Sequence, residues 1–243
     1  MTFQEAKQHL CNRKLNADYT DIANNDLFTD TDLGEWINQG VKKAWDFKFW
    51  PFTQDKVTGT TAGATITSPQ TLMAGSIFLL RINSKEYKKL IYQDYLKYLE
   101  DFPSATDRIW SEYKRTIYLN GNAFTVGQGY ELYGKGMAPT LSSTGDLLPF
   151  SPDADNYEHS GNEAIVQLAY GEALASRKFN QAQEAEIERK KAYQELEILW
   201  RPFAEERATL QSKGRPMFNV GDFLGGSSQS RSSQYTGNFD YLN

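Results

Sequence analysis

The stretch AEIERKKAYQELEILWRPF, residues 185–203, carries its apolar side chains at the period of an α-helix. They recur at spacings of seven, four and three residues, at Ala185, Ala192, Leu196, Leu199 and Phe203. Glu186 and Lys190 lie four residues apart on another face, where opposite charges stabilise an exposed helix. Pro202 lacks an amide hydrogen, so we expect a kink or a restart there. The pattern predicts a long helix from 181 to 211.

A second apolar stripe comes before this helix. It consists of Ile165, Leu168, Ala169 and Ala173. Its period of 3.6 residues predicts a helix from 158 to 178. We therefore expect two long, consecutive helices in the carboxy-terminal half of the chain.

Two more helices are predicted within the first 50 residues. Thr2 and Glu5 have the spacing of a capping box, which predicts a helix that starts at the next residue after the threonine. A second helix is predicted to begin around Thr31 or Asp32 and to end before Pro51, because the residue before a proline disfavours the helical conformation. Its apolar stripe consists of Leu33, Trp36, Ile37, Val41, Ala44 and Trp45.

Between these helical regions the composition changes to threonine, glycine and β-branched residues, which are typical of strands. Strands are predicted at 57–60, 64–67 and 77–82. An Asn120-Gly121 pair separates two alternating runs, 115–119 and 122–126, and predicts a β-hairpin. A third strand of this group is predicted at 130–133.

Residues 85–98 mix cations with aromatic rings. The run KEYKK at 85–89 is followed by a tyrosine at every third position. These tyrosines are Tyr92, Tyr95 and Tyr98. Binding platforms for single-stranded nucleic acid combine the same residue types. The alternative is a solvated strand edge with the tyrosines packed beneath it, followed by a short helix at 92–100 that Pro103 closes.

The composition is that of ordinary soluble globular proteins. The 243 residues carry 31 acidic and 26 basic side chains, a formal net charge of −5, which is not the balance of a basic nucleic-acid binder. The longest apolar stretch, residues 77–80, is far shorter than the roughly 20 residues of a membrane helix. The polar residues 1–8 show no signal-peptide pattern, so we expect synthesis in the cytoplasm.

Candidates for chemistry are few. Cys11 is the only cysteine, which excludes an internal disulfide, and we interpret it as a small packing residue. The sequence contains two histidines, which offer few ligands for a metal site and few bases for a catalytic triad. We interpret His159 and the carboxylates at 153–158 as a polar helix start, whose side chains cap backbone amides. We therefore expect no catalytic residue, no metal, no cofactor and no enzymatic activity.

Two glycine pairs, at 127–129 and 134–136, superficially suggest phosphate-binding loops. Neither pair follows a strand and opens a helix in the order of a nucleotide-binding motif. We predict that both are turns between strands.

The last 32 residues, 212–243, are rich in glycine, serine, glutamine and asparagine and show no helical or strand period. Large apolar side chains occur at intervals within them: Met217, Phe218, Val220, Phe223, Leu224, Tyr235, Phe239 and Tyr241. Such anchors on a flexible arm suit folding onto a partner surface. The alternative is a terminus whose aromatic rings pack onto their own domain.

These patterns together predict an α+β fold. Its helical body comprises residues 1–50 and 158–211, and a β-rich insertion comprises residues 51–157. Residues 212–243 form an extended, flexible docking arm at the carboxy terminus.

The order of these segments resembles a known family. The start of the chain is similar to the entry segment of the head-to-tail adaptor proteins of tailed bacteriophages. It has a helix opened by TFQE at residues 2–5, followed by LGEWINQ at 33–39 and by residues 45–52. Such proteins continue with a β-rich insertion, a proline-punctuated stretch like Leu148-Pro149, and a pair of long helices.

The resemblance implies a structural virion protein. It implies a ring, usually of twelve subunits, that binds beneath the portal protein, extends the DNA channel without binding the genomic DNA specifically, and offers a docking platform to a nozzle or tail-fibre component. It also implies an arm that reaches along the portal, with residues 212–243 as the candidate, and a location in the neck of the virion after synthesis in the host bacterium. The alternatives are a single-stranded nucleic-acid-binding protein that uses residues 85–98, and a tail-attachment or carbohydrate-binding module built on the β insertion.

Overall fold

A computed structural model describes residues 1–150 and 160–212. The chain combines helices with a seven-stranded sheet and is therefore a mixed α+β protein. It divides into two compact units. The first, which we call the helical unit, contains Met1–Asp55, Gln70–Leu72 and the described residues from Lys135 onward. The second, the sheet unit, contains Lys56–Pro69 and Met73–Gly134.

The described helices begin and end close to the predicted positions. They are α1 (Phe3–His9), α2 (Asp30–Phe47), α3 (Tyr92–Asp101), α4 (Ser160–Ala175) and α5 (Ala182–Ser212), with a π-helical turn at Leu10–Lys14 and 3₁₀ turns at Tyr19–Asn24 and Pro51–Thr53. None of the helices in these described stretches is long and apolar enough to cross a membrane.

Side chains close to the backbone fix the starts of α1 and α2. The predicted capping box of α1 is confirmed, because Thr2 Oγ1 accepts from the Glu5 amide at 3.2 Å and Glu5 Oε2 accepts from the Thr2 amide at 2.7 Å. Helix α2 begins earlier than expected. Thr29 and Asp32 form a second capping box there, so the helix starts directly after the threonine.

The core of the helical unit is built around α4, which packs against α2 and α5. Gly40 of α2 permits a close approach of the two backbones. A Cβ atom at this position would lie 2.5 Å from the Ile165 carbonyl oxygen and 3.1 Å from the Ala169 nitrogen. Trp50 is fully buried beyond the end of α2 and meets the ring of Trp200 edge-on, with 5.4 Å between ring centres.

Helix α5 runs as one helix through Pro202. The expected restart therefore does not occur. Proline removes the amide that would bond the Ile198 carbonyl, but Pro202 and Ile198 are exposed, so water can satisfy this oxygen.

The strands form one sheet in the order β1-β7-β3-β4-β5-β6-β2. Their bounds are β1 Gln54–Thr60, β2 Thr65–Thr67, β3 Leu79–Ile82, β4 Lys85–Lys89, β5 Ile109–Tyr113, β6 Thr116–Leu119 and β7 Gly129–Lys135. Strands β4 and β5 pair in parallel, and helix α3 lies in the connection between them, as parallel pairing requires a crossover. The helix predicted at 92–100 is confirmed.

The predicted hairpin at Asn120-Gly121 is wrong. Strand β6 pairs with β5 through a tight turn at Lys114 and Arg115, both of which have positive φ, 47° and 59°. Asn120 is used differently, because its buried side chain donates to the Ala105 and Asp107 carbonyl oxygens at 2.9 Å each. The run after the pair forms no strand, and the strand predicted around 130–133 pairs with β3 instead.

Candidate functional site

The predicted arm anchors lie outside the described residues. This holds for Met217, Phe218, Val220, Phe223, Leu224, Tyr235, Phe239 and Tyr241, and also for His159. The docking role of residues 212–243 therefore stays a prediction.

Cys11 is buried in the core of the helical unit. Its Sγ lies 3.5 Å from the Ala17 carbonyl oxygen, to which the thiol donates. Burial raises the pKa of the Cys11 thiol, and the charge of Asp18 adds to this effect. A raised pKa disfavours the nucleophilic thiolate, so the site suits packing rather than reaction.

His9 lies beside a single carboxylate. Its Nδ1 is 3.3 Å from Glu163 Oε1. Burial lowers the pKa of His9, while Glu163 opposes this shift and Arg13 and Lys14 add to it. Across residues 1–150 and 160–212, no three histidine, cysteine or acidic side chains gather closely enough to hold a metal ion.

The glycine pair at 134–136 belongs to a buried structural contact. The prediction of a turn there is wrong, because Gly134 and Lys135 lie in β7. The Lys135 ammonium donates to the carbonyl oxygens of Trp45 at 2.6 Å and Lys48 at 3.0 Å. Burial lowers the pKa of Lys135. The cation satisfies carbonyls at the end of α2 and complements the dipole of that helix end, so it is not presented to a phosphate.

The segment 85–98 does not form one continuous cationic and aromatic platform. Its first part is β4, which lies between β3 and β5 and so is not at the edge of the sheet, but β4 is largely exposed and tyrosines pack beneath, as the alternative expects. Tyr87 and Tyr95 are buried. The hydroxyl of Tyr98 donates to Asp107, which raises the pKa of Tyr98 to about 12.

Lys89, at the end of β4, is held inside the sheet unit. Its ammonium donates to the Ile77 carbonyl oxygen and lies 3.8 Å from Glu112 Oε2 and 4.9 Å from the centre of the Trp110 ring. Burial lowers the pKa of Lys89 to about 8, and the charge of Glu112 offsets only part of this shift. This cation therefore contributes to the interior and not to a binding surface.

The free energy of unfolding should rise with pH because of Lys89. Its pKa is about 8 in the folded chain and about 10.4 in an unfolded chain, so between these values the unfolded chain binds a proton that the folded chain has lost. Relative to Lys89→Met, the unaltered protein should gain about 2 kcal/mol of unfolding free energy between pH 7 and pH 10. Urea unfolding at both pH values measures this difference. The same pH dependence in both proteins would contradict a buried ammonium.

An aromatic cluster that the sequence reasoning missed lies on the sheet unit. We call it the tyrosine cluster, and it consists of Tyr92, Tyr113 and Tyr118. The rings of Tyr92 and Tyr113 stack at 4.5 Å with 6° between their planes, and Tyr118 lies 5.1 Å from Tyr92. Tyr113 is 42% exposed, and Lys114 Nζ lies 5.2 Å from its ring centre. Tyr113 and Tyr118 come from β5 and β6, which no sequence spacing connects to α3.

The outer face of α5 exposes two isoleucines. Ile187 is 53% exposed and Ile198 is 59% exposed. They are 11 residues apart, about three helical turns, so they lie on the same side of the helix. Lys190 and Gln194, also exposed, lie between them on this side. The face therefore mixes apolar and polar side chains, as subunit interfaces do.

A groove of about 550 Å³ lies beside α5 in the helical unit. Its lining residues are Gln39, Lys42, Lys43, Asp46, Phe47 and Tyr193. The rings of Phe47 and Tyr193 stack at 5.1 Å and form its apolar part. Lys43 forms an ion pair with Glu172, which also binds Arg189 at 2.8 Å. We call this the α2–α5 groove.

No protein-family model matches the chain, and no curated protein matches it.

Proposed function

We propose that this chain is a non-enzymatic structural protein of the virion, an adaptor that assembles into a ring beneath the portal of a tailed bacteriophage. The proposal rests on the resemblance of segment order given above and on the surfaces of the helical unit. In this role the ring extends the DNA channel and presents the sheet unit to the next tail component. The arm, residues 212–243, binds the portal.

The observation that carries the proposal is the outer face of α5 with the neighbouring α2–α5 groove. A ring needs two different complementary surfaces on each subunit, because each copy contacts the next head to tail. The isoleucines of α5 form a ridge, and the groove offers a concave surface with stacked rings. Both surfaces belong to the helical unit, which supports the assignment of ring contacts to the helices.

Negative-stain images of portal-bound protein should show a closed annulus. The double variant Ile187→Asp, Ile198→Asp should abolish the annulus, because two carboxylates would lose their hydration in the contact. Leu96→Asp is the matched control, since Leu96 is also exposed, at 43%, but lies on α3 of the sheet unit. Circular dichroism checks that each variant is folded. Monomers that decorate the portal at scattered positions would overturn the proposal.

The tyrosine cluster favours a second candidate function, binding of single-stranded nucleic acid. Stacked rings beside Lys114 can accept a base and a phosphate. Tyr113→Ala should then weaken the binding of a labelled oligothymidylate at low salt at least tenfold, measured by fluorescence anisotropy. Tyr130→Ala is the control on another strand. An unaltered protein that does not bind the oligonucleotide removes this candidate.

A further inference from the structure

The Asn120-Gly121 pair forms no hairpin turn, but it has a chemical property of its own. An asparagine followed by glycine reacts readily with the main chain, because glycine has no Cβ atom to hinder its amide nitrogen. That nitrogen attacks Cγ of the asparagine, a C–N bond forms, and ammonia leaves. Water then opens the resulting succinimide ring to aspartate or isoaspartate. In this sequence Asn120 is the only asparagine that precedes a glycine.

The folded chain holds the side chain of Asn120 in the interior of the sheet unit, where the residue is 1% exposed. Its Nδ2 donates to the carbonyl oxygens of Ala105 and Asp107 at 2.9 Å each. Its Oδ1 accepts from the Asn122 amide at 3.2 Å. The side chain therefore uses both of its donor hydrogens and an acceptor position.

These bonds oppose the reaction. The Asn120 side-chain nitrogen can leave as ammonia only after both of its bonds to carbonyl oxygens have broken, and water must reach a buried carbon. The main chain is held as well, because the Asn120 amide donates to the Ile109 carbonyl oxygen at 3.2 Å and its carbonyl oxygen accepts from Ala123 at 3.0 Å. Breaking buried hydrogen bonds without replacement is costly, so the folded unit slows the reaction.

The product does not fit the same site. A carboxylate at position 120 can only accept hydrogen bonds, and the facing carbonyl oxygens of Ala105 and Asp107 can also only accept. A buried charge would thus face two acceptors that have lost their donors. Isoaspartate in addition lengthens the main chain by one carbon. The two carbonyls lie in the connection between α3 and β5, so the loss of these bonds releases the segment that leads into an inner strand of the sheet.

We propose that Asn120 is a site of spontaneous deamidation that the fold of the sheet unit blocks, and that the reaction in an unfolded chain prevents this unit from refolding. The fold protects the residue on which it depends. An unfolded chain has a limited time in which it can still refold. This modification site is independent of the adaptor role proposed above.

Peptide mass spectrometry of the full-length chain tests the protection. The protein is kept at mildly alkaline pH in native buffer and in urea, and conversion of the amide at position 120 to the acid is followed with time. The chain in urea should convert at least tenfold faster than the folded chain. Equal rates in the two solutions would overturn the proposal.

Gly121→Ala is the matched control for the chemistry. A Cβ atom at this position would meet only the Cβ atom of Ala64, at 4.0 Å, so the folded unit accommodates alanine. The added methyl group hinders the attacking nitrogen, and in urea this variant should convert at least fivefold more slowly than the unaltered chain. Conversion of the variant in urea at the unaltered rate would show that the main-chain nitrogen does not attack, and would overturn the proposal.

Refolding tests the consequence of the reaction. Samples are diluted out of urea after increasing times, and hydrogen exchange measures the fraction of chains that regain protected amides in β5. This fraction should fall in step with conversion at position 120, and more slowly for Gly121→Ala. The variant Asn120→Asp should lack the protection from the start. Protection of β5 after complete conversion, or an equally fast loss in Gly121→Ala, would overturn the role of Asn120 in refolding.

Discussion

Gly40→Ala should destabilise the helical unit by about 2 to 3 kcal/mol, although alanine is the better helix former. The added Cβ would lie 2.5 Å from the Ile165 carbonyl oxygen, and backbone atoms of α4 cannot move aside as a side-chain tip can. Helices α2 and α4 would have to separate, which opens the apolar contact between them. Urea unfolding followed by far-ultraviolet circular dichroism measures the loss.

Gly34→Ala is the matched control for this effect. Gly34 lies in the same helix, but a Cβ there would meet only the end of the Phe3 ring, at 3.2 Å. Its gain in helix propensity, about 1 kcal/mol, should offset the small adjustment of that ring. We therefore expect near-normal stability. Equal stability of the two variants would show that α2 and α4 do not touch through their backbones at Gly40.

Local signals made the helices predictable. The capping box of Thr2 and the apolar stripes lie within one or two turns of sequence, so they act before any distant contact forms. Helix α2 starts one or two residues before the predicted position, because Thr29 and Asp32 have the three-residue spacing of a capping box and form one.

The pairing of the strands was not predictable in the same way. Asn120-Gly121 is the preferred sequence of a two-residue hairpin, yet the tight turn before β6 uses Lys114 and Arg115. A positive φ costs roughly 1 to 2 kcal/mol at each of these residues, so only the surrounding sheet explains the choice. Such a choice depends on partners distant in the sequence, which local patterns do not contain.

The candidate surfaces also depend on contacts between residues distant in the sequence, so local patterns did not predict them. The residue types of 85–98 suggested a surface of lysines and tyrosines as one of two alternatives, but Lys89 and Tyr95 are buried. The tyrosine cluster unites side chains from α3, β5 and β6. The α2–α5 groove likewise joins residues far apart in the chain, as Phe47 and Tyr193 illustrate.

Deleting residues 212–243 should reduce the affinity for the portal by orders of magnitude and leave both units folded. Ordering the arm costs about 1 to 2 kcal/mol of backbone entropy per residue, and its sparse apolar side chains cannot offset this cost without a large partner surface. Each anchor that a partner covers contributes roughly 1.5 to 3 kcal/mol. Their removal together therefore eliminates most of the binding energy. Surface plasmon resonance on immobilised portal measures the change.

The full-length variant Ser227→Ala, Ser228→Ala is the control, because it changes the arm at positions without large apolar groups. Its affinity for the portal should stay near that of the unaltered chain. Hydrogen exchange adds an independent measurement: the amides of residues 215–241 should exchange within seconds in the free protein and become protected when portal is added. A truncated chain that binds the portal as tightly as the full chain would show that the arm is a passive terminus, and the contact with the portal would then have to come from the rest of the chain.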